Sequence, residues 1–322
     1  MRFVAAVAAV FVSTLPGTSL AQSWPTKPVS MINPFAPGGG VDAFGRPLSI
    51  YLSKALGQQF LVENLAGAGG TIGAAAAAKR PADGYHFFLG AVHHTIAESL
   101  YAKLPYSLER DFAPVTVLAY VPNVVVMHPK HAHINSLREL IAFAKANPGK
   151  LNFGSAGNGT THHLAGELFR TMTGVEITHI PYKGAGPMMQ DLLAGQVDMA
   201  FDGMSTSAPQ LRAGKLKALA VTTTERSFVV PNVPTMQEAG LAGYVVTTWY
   251  ALWAPRGAPT EALDRMHRET VKAMQSPELK QVWESQGATA GGESPEEFAK
   301  LVKSEIGKWA KVVKDSGAKV DN

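Results

Sequence analysis

The chain has 322 residues, of which 46% are hydrophobic, so it is long enough for about two domains with a core in each. Lysine and arginine number 29 against 25 acidic residues, a net charge of +4 without any basic cluster, and nucleic-acid binding is therefore not expected. The sequence contains no cysteine, which excludes disulfide bonds and lipid attachment through a cysteine thiol.

The first 21 residues have the pattern of an export signal. Arg2 precedes an apolar run that ends near Leu15, and the small residues Ser19 and Ala21 occupy cleavage positions. A membrane anchor is the alternative, but the run is shorter than the roughly 20 apolar residues that a spanning helix needs. We therefore expect a soluble periplasmic protein.

After Trp24, short apolar strands alternate with helical patterns, which is typical of parallel α/β units. The first unit consists of strand KPVSMINPF, helix SIYLSKALG, strand QFLVEN, helix TIGAAAAAKR and strand YHFFLG. A second unit begins with strand PNVVVMHP and helix SLRELIAFAKANPGK, where Ser136 and Glu139 form a capping box. It continues through strand LNFGSAG, helix HHLAGELFRTMTG, strand EITHIPYK, helix GPMMQDLLAG and strands VDMAFDG and LKALAVTT.

The C-terminal part begins with TTWYALWAP and continues into a helical tail, in which Ser294, Pro295 and Glu297 mark a helix start. This tail has no sheet of its own, so we expect it to pack on the first unit.

We predict an α/β protein of two lobes that the chain crosses twice, near residues 120–130 and 247–255. Two lobes joined in this way enclose a cleft. The predicted division follows those crossings: 22–125 plus 253–322 for lobe 1, and 126–252 for lobe 2.

Several motifs for nucleotide binding and catalysis are incomplete. The loop GAGGTIG has Ile72 where the third glycine of a dinucleotide-binding motif belongs, and no Gly-Lys-Ser/Thr follows any glycine loop. Around Ser155, Phe153 replaces the first glycine of the serine-hydrolase motif. Neither a nucleotide-binding protein nor a serine hydrolase is therefore expected.

Two histidine pairs leave a metal site open as an alternative. They are His93-His94 and His162-His163, with Asp202 as a further ligand. Adjacent residues on a helix point about 100° apart, however, so such a pair seldom binds one ion. Capping or hydrogen-bonded histidines are the simpler interpretation.

Three glycine- and hydroxyl-rich turns each follow a strand: APGGGVD, AGAGGT and SAGNGTT. Backbone N–H groups and short hydroxyls, without a nucleophile or base between them, suit carboxylate capture. The alternative is that the glycines only permit tight turns and that Asp42 caps a helix.

These turns lie in a longer set of stretches that resembles one family, the Bug-type solute receptors, which are the extracytoplasmic binding proteins of tripartite tricarboxylate transporters. The resemblance covers essentially the whole mature chain, in family order and spacing. The stretches are NPFAPGGGVD, VENLAGAGGTIGA, LNFGSAGNGTTHHLAGELF, HIPYKGAGP, DLLAGQVDMAFD, AGKLKALAVTT and PNVPTMQEAG.

The resemblance implies a type II periplasmic-binding-protein fold whose two lobes close on a small organic acid, partly through ordered water. It implies a protein without catalytic activity or cofactor. The receptor would act as a monomer and deliver the acid to integral-membrane transporter subunits. Carried over by position, the first-lobe contacts would be Phe35, Ala36, Gly38, Gly39, Asp42, Gly70, Thr71, His94 and Thr95. The second-lobe contacts would be Ser155, Asn158, Thr160, Thr161, His163, Tyr182 and Asp202.

Two features depart from the family pattern. Gly45 and Pro47 stand in a helix start that is commonly alanine-rich, and Pro47 lacks a backbone donor, so the aim of the first loop is left open. The pair His93-His94 is bulkier than the usual serine-containing turn, which narrows or specialises the distal pocket.

Other functions remain open from sequence. One is a sensory receptor that presents its acid to a membrane-bound kinase, and another is an exported enzyme or metal protein that uses Asp42, His94, His163 and Asp202. The identity of the acid is open as well, since Trp249 and Tyr250 suit an aromatic acid as readily as a dicarboxylate.

We predict cleavage after Ala21, because Ser19 and Ala21 are small and directly follow the apolar run. The intact mass of the protein recovered from the periplasm should correspond to a chain that starts at Gln22. A periplasmic protein that retains residues 1–21 would contradict this prediction.

Overall fold

The computed structural model describes residues 24–316, so the predicted export signal and its cleavage site lie outside the described residues. The strands are β1 (Val29–Asn33), β2 (Phe60–Asn64), β3 (His86–Ala91), β4 (Phe112–Met127), β5 (Asn152–Ser155), β6 (Thr178–Pro181), β7 (Met199–Gly203), β8 (Lys217–Val221), β9 (Thr247–Pro255) and β10 (Thr289–Ala290). The helices are α1 (Gly40–Leu56), α2 (Thr71–Ala78), α3 (His93–Leu100), α4 (Leu108–Asp111), α5 (Leu137–Ala146), α6 (Thr161–Thr173), α7 (Ala185–Leu193), α8 (Met204–Arg212), α9 (Thr260–Gln275), α10 (Pro277–Glu284) and α11 (Pro295–Ser316).

The first lobe is built on a sheet with the strand order β2-β1-β3-β9-β4-β10. Strands β1, β2 and β3 are parallel, whereas β9 runs antiparallel to both β3 and β4. The carboxyl ends of β1 and β3 therefore lie at one edge of the sheet, where α1 and α3 begin.

The second lobe repeats this plan with β5, β6 and β7, which are parallel to one another, and with β8 paired to β4. Strand β4 belongs to both sheets. Its first part, Phe112–Pro122, pairs with β9, and its last part, Asn123–Met127, pairs with β7. The predicted α/β fold of two lobes is confirmed.

The predicted division of the lobes at 125/126 and 252/253 stays a prediction, and the strand pairing favours slightly earlier boundaries. The partner of β4 changes between Pro122 and Asn123. Strand β9 pairs with first-lobe strands from Thr247 onward, so its residues 247–252 lie beside the first sheet. The reason is that β9 is one uninterrupted strand, whose hydrogen-bond partners all belong to that sheet.

Helix α1 is longer than predicted, because it begins at Gly40 and continues through Pro47. Tertiary packing outweighs the weak helical propensity of this segment. Its apolar residues Phe44 and Leu48 are fully buried, and a Cβ on Gly45 would come 2.6 Å from Leu89 of β3. The missing side chain of Gly45 therefore lets the helix lie close to the sheet.

The predicted capping boxes form to different degrees. Ser294 Oγ accepts the Glu297 N–H at 3.3 Å, and the Glu297 carboxylate accepts the Ser294 N–H at 2.9 Å, so this box is complete. At α5, Ser136 Oγ accepts the Glu139 N–H, but the Glu139 carboxylate bonds to the N–H of Asn135 instead.

The helical tail packs on the first lobe, as predicted. Phe298 of α11 is fully buried, with its ring centroid 4.8 Å from that of Trp253 and 5.8 Å from that of Trp249. Helices α9 and α10 contact α1 through Met266 and Trp283, in the same cluster as Phe44. Among the described helices, none has the length and apolarity to cross a membrane.

We predict that Phe298→Ala lowers the free energy of unfolding by about 3–5 kcal/mol, because it leaves a cavity beside two tryptophan rings. Denaturant unfolding followed by tryptophan fluorescence measures this change. The matched control is Val282→Ala on α10, where the side chain is 39% exposed. Equal losses in the two variants would show that α11 is not anchored through Phe298.

Candidate functional site

The connections that leave β1, β3, β5, β6 and β7 meet between the two lobes. Each leads into a helix, namely α1, α3, α6, α7 and α8. In open α/β sheets the crevice at the carboxyl ends of the strands is where ligands bind. The topology therefore brings these helix starts together into one candidate site.

A small cavity lies at the centre of this site. It holds about 10 Å³, the space of roughly one water molecule. An organic molecule of several carbons can enter only when the lobes separate or side chains rotate. The lining residues come from both lobes: Phe35, Gly39, Gly40, Val41, His93, Ala156, His162, Ala185 and Tyr250.

The amino ends of α1 and α7 face each other beside this cavity. Their N-cap residues, Gly39 and Gly184, provide no side-chain cap. A Cβ on Gly39 would lie 3.5 Å from the backbone nitrogen of Ala185 and 3.6 Å from that of Gly186. Because a helix amino end carries partial positive charge and free N–H groups, this pair of ends is suited to an anion.

Direct hydrogen bonds hold the lobes together around the cavity. The Ala36 N–H donates to the Lys183 carbonyl at 2.9 Å. The N–H of Thr161, at the start of α6, donates to Nδ1 of His93 at 3.1 Å, and the Thr161 hydroxyl lies 2.7 Å from that of Thr248 in β9. The structure is thus a closed arrangement of the two lobes.

Asp42 faces its own loop and not the cavity. Its carboxylate accepts the Gly38 N–H and the Asn33 side-chain amide, each at 2.7 Å. Arg46, one helical turn further on, is 3.1 Å away. The carboxylate therefore stabilises the β1–α1 loop. It accepts the Gly38 N–H, a group that the sequence analysis had placed among the ligand contacts.

The second group of predicted first-lobe residues is held within its own lobe. The hydroxyls of Thr71 and Thr95 donate to the carbonyls of Ala68 and Val92. His94 Nδ1 lies 3.0 Å from the Ala91 carbonyl, and burial lowers the pKa of this histidine to about 4. Gly70 packs against the rings of Phe35 and His94. Gly70, Thr71, His94 and Thr95 therefore lie behind the cavity wall, to which Phe35 belongs.

Most of the predicted second-lobe residues also make bonds inside their lobe. Ser155 Oγ lies 2.6 Å from His179 Nε2, and Thr160 Oγ1 caps α6 by accepting the His163 N–H. His163 Nδ1 accepts the Gly159 N–H at 3.2 Å, and the Tyr182 hydroxyl donates to Asp191 at 2.6 Å. The carbonyl of Asn158 approaches Gly69 of the first lobe.

Sequence reasoning chose one histidine of each pair, and the structure places the other one at the cavity. His93 and His162 line it, whereas His94 and His163 point into their own lobes. The pairs themselves were a visible signal, but the member that faces the cleft depends on where each helix begins. Gly40, Val41, Ala156 and Ala185 were missed because small residues carry no distinctive chemistry.

A cluster of polar groups lies at one end of the cavity. A Cβ on Gly203 would lie 3.6 Å from Tyr250 Oη, 3.6 Å from Ser205 Oγ and 3.7 Å from His162 Nε2. Asp202 is fully buried, and its Oδ1 is 3.5 Å from His162 Nδ1. Burial raises the pKa of Asp202 and of Tyr250. Burial lowers the pKa of His162, and the negative charge of Asp202 partly offsets this by raising it.

Between residues 24 and 316, no three or more His, Asp and Glu side chains are grouped so that they could hold a metal ion.

Comparison with known proteins identifies similar chains along nearly the whole length. The family model described as "Tripartite tricarboxylate transporter family receptor" matches residues 45–318. Protein BugT of Bordetella pertussis is 38% identical over 324 residues, which cover 99% of each chain.

Two solved structures are similar in fold and sequence. R. palustris Rpa4515, solved with adipate, is 39% identical with a TM-score of 0.89, over 92% of this chain and 100% of that one. MatC from Rhodopseudomonas palustris, with bound malate, is 34% identical with a TM-score of 0.86, over 90% of this chain and 100% of that one.

The contact between Thr161 and Thr248 predicts that cysteines at these positions form an interlobe disulfide. The two hydroxyls are 2.7 Å apart and the chain has no other cysteine, so Thr161→Cys combined with Thr248→Cys should oxidise intramolecularly. Thiol labelling followed by intact mass measures the reaction.

The control combines Thr161→Cys with Thr289→Cys, an exposed position on β10 of the first lobe. Both of its thiols should remain reduced and should react with the label once the protein is denatured, because Thr161 is buried in the folded chain. Equal labelling of both pairs under oxidising conditions would show that α6 does not approach β9 in solution.

Proposed function

The chain belongs to the family of tripartite tricarboxylate transporter receptors, and on that premise we propose that it is a periplasmic binding protein that captures a small organic carboxylate between its lobes. It releases this acid to the integral-membrane subunits of a transporter. It acts without catalysis or cofactor, as a monomer, after export and cleavage behind Ala21.

The facing amino ends of α1 and α7 are the observation that carries this proposal. They supply backbone N–H groups from both lobes to one point, with only small residues between them. An anion there satisfies donors of both lobes at once, and it therefore stabilises the closed arrangement.

The similar proteins support a carboxylate as the ligand class. Rpa4515 was solved with adipate and MatC with malate, and both align with this chain along its described lobes. These two ligands are dicarboxylates of different length, so they support the class of ligand and leave its length open. For this chain we propose contacts through Gly39, Gly40, Ala185, His162 and Tyr250, next to the residues assigned from sequence.

We predict that one acid among adipate, malate, citrate and benzoate stabilises the protein. At about 100 times its Kd the gain is roughly 2.7 kcal/mol, because the acid binds the folded, closed lobes and not the unfolded chain. A thermal-shift series at increasing concentration measures it. Small-angle scattering with and without the acid should show a decrease in the radius of gyration.

Two controls accompany this measurement. Adipamide has the length of adipate without its charge and should produce no shift. Gly39→Val places a branched side chain between the amino ends of α1 and α7, so the folded variant should lose the response to the acid. A folded wild-type protein that responds to no acid would refute the proposed function.

A further inference from the structure

His162 is a buried histidine whose two ring nitrogens have no hydrogen-bond partner among residues 24–316. The side chain is only 2% exposed and lines the cavity between the lobes. The other histidine there, His93, differs because its Nδ1 accepts the Thr161 N–H. Unpartnered buried polar atoms are costly, so the nitrogens of His162 need partners that binding supplies.

Asp202 lies directly behind His162. Its Oδ2 accepts hydroxyl hydrogen bonds from Thr206 and Ser207. Its Oδ1 has no hydrogen-bond partner in the described part of the chain and is 3.5 Å from His162 Nδ1. A shift of about half an ångström turns this contact into a hydrogen bond of ordinary length. The carboxylate therefore favours a proton on Nδ1 and orients the ring.

The other nitrogen of the ring, Nε2, is on the side where polar groups converge. His162 Nε2, Ser205 Oγ and Tyr250 Oη each lie 3.6 to 3.7 Å from the position that a Cβ on Gly203 would take. The hydroxyls of Ser205 and Tyr250 interact with each other, and Ser205 Oγ has no other hydrogen-bond partner among the described residues. This end of the cavity thus offers two hydroxyl donors and one imidazole nitrogen to a single ligand group.

Charge decides which form of His162 suits an anion. With its proton on Nδ1, a neutral ring presents the lone pair of Nε2 to the cavity, and this lone pair repels a carboxylate. A second proton, on Nε2, turns repulsion into a charge-assisted hydrogen bond. The described residues that line the cavity include no lysine or arginine, so an imidazolium would be the cation there. Arg46 lines the neighbouring groove and is paired with Asp42.

Three titratable groups face His162, each from a different element. Asp202, in β7, favours the charged ring. His93 at the start of α3 stays neutral, because burial and the neighbouring histidines lower its pKa. Tyr250 of β9 stays neutral as well, because burial raises its pKa. Burial alone disfavours the imidazolium, so a second negative charge at the cavity is needed to compensate.

We propose that His162 contacts the bound acid through Nε2 as an imidazolium that Asp202 positions, and that the protein takes up about one proton when the acid binds. This inference rests on the proposed function. The ligand would then have a charged contact at the start of α6 in addition to the neutral donors of α1 and α7. Since binding consumes a proton, affinity falls as the pH rises above the pKa of the unliganded ring, by up to about tenfold per pH unit.

Calorimetry in two buffers tests this directly on the wild-type protein. The probe is whichever of adipate, malate, citrate and benzoate gives the largest thermal shift, measured near pH 7.5 in HEPES and in Tris, since phosphate would compete for an anion site. These buffers differ in ionisation enthalpy, so the difference in measured binding enthalpy gives the number of protons taken up. We expect about one.

Variants assign the proton to its residue. His162→Gln keeps a polar side chain but cannot titrate, so its uptake should fall to zero, with weaker and pH-independent binding. Asp202→Asn should reduce the uptake at the same pH, because the ring loses the charge that favours its protonation. His133→Gln, at an exposed position outside the site, should behave as the wild type.

The outcomes separate this inference from the proposed function. Binding with equal enthalpies in both buffers overturns the inference and leaves the receptor function intact. Uptake that persists in His162→Gln assigns the proton elsewhere and overturns it as well. Succinate is malate without its hydroxyl group. If malate binds more tightly than succinate and no proton is taken up, Nε2 of a neutral His162 accepts the ligand hydroxyl, and the inference is overturned. Binding of none of the four acids refutes the proposed function itself.

Discussion

The close approach of two helix amino ends across the cleft is the contact on which the site depends. Helices α1 and α7 meet where Gly39 faces Ala185 and Gly186. A Cβ on Gly186 would overlap the carbonyl oxygen of Pro37, so this approach is possible only without a side chain. The backbone hydrogen bond from Ala36 to Lys183 fixes the same junction. Closure therefore brings unpaired donors of both lobes to one place, and a ligand that accepts hydrogen bonds there links the lobes.

The chemistry of the site follows from this use of the backbone. Helix amino ends and hydroxyls carry only partial charges, so they bind an anion with a smaller desolvation cost than a guanidinium requires. The titratable groups at the cavity are placed differently from one another. His93 accepts a hydrogen bond from the N–H of Thr161 in α6 and so joins the lobes. Asp202 lies next to Nδ1 of His162, and Nε2 of that ring remains open to a ligand. Two histidines of similar burial thus have separate roles because their hydrogen-bond partners differ.

Much of the fold was predictable, because strand and helix patterns depend on local periodicity. Most strands from VSMIN to TTWYALWAP were recognised, as was the complete capping box of Ser294 and Glu297. The first part of β4, residues 112–121, was not recognised as a strand. Helix α8 was not recognised, since MSTSAPQLR has no clear apolar face. The beginning of α1 was placed too late, because Gly45 and Pro47 disfavour a helix that only packing on β3 supports.

The sequence by itself determined the family, the two-lobed α/β fold and the loops that form the cleft, since these depend on glycine turns, periodicity and motif order along the chain. Only the tertiary structure decided which side chains of those loops face the cavity. Asp42 turned to its own loop, and His93 and His162 took the positions expected of His94 and His163. The physical reason is that the direction of a side chain depends on the first residue of its helix and on the lobe packed opposite. A shift of one residue rotates it by about 100°, and no local pattern fixes that phase.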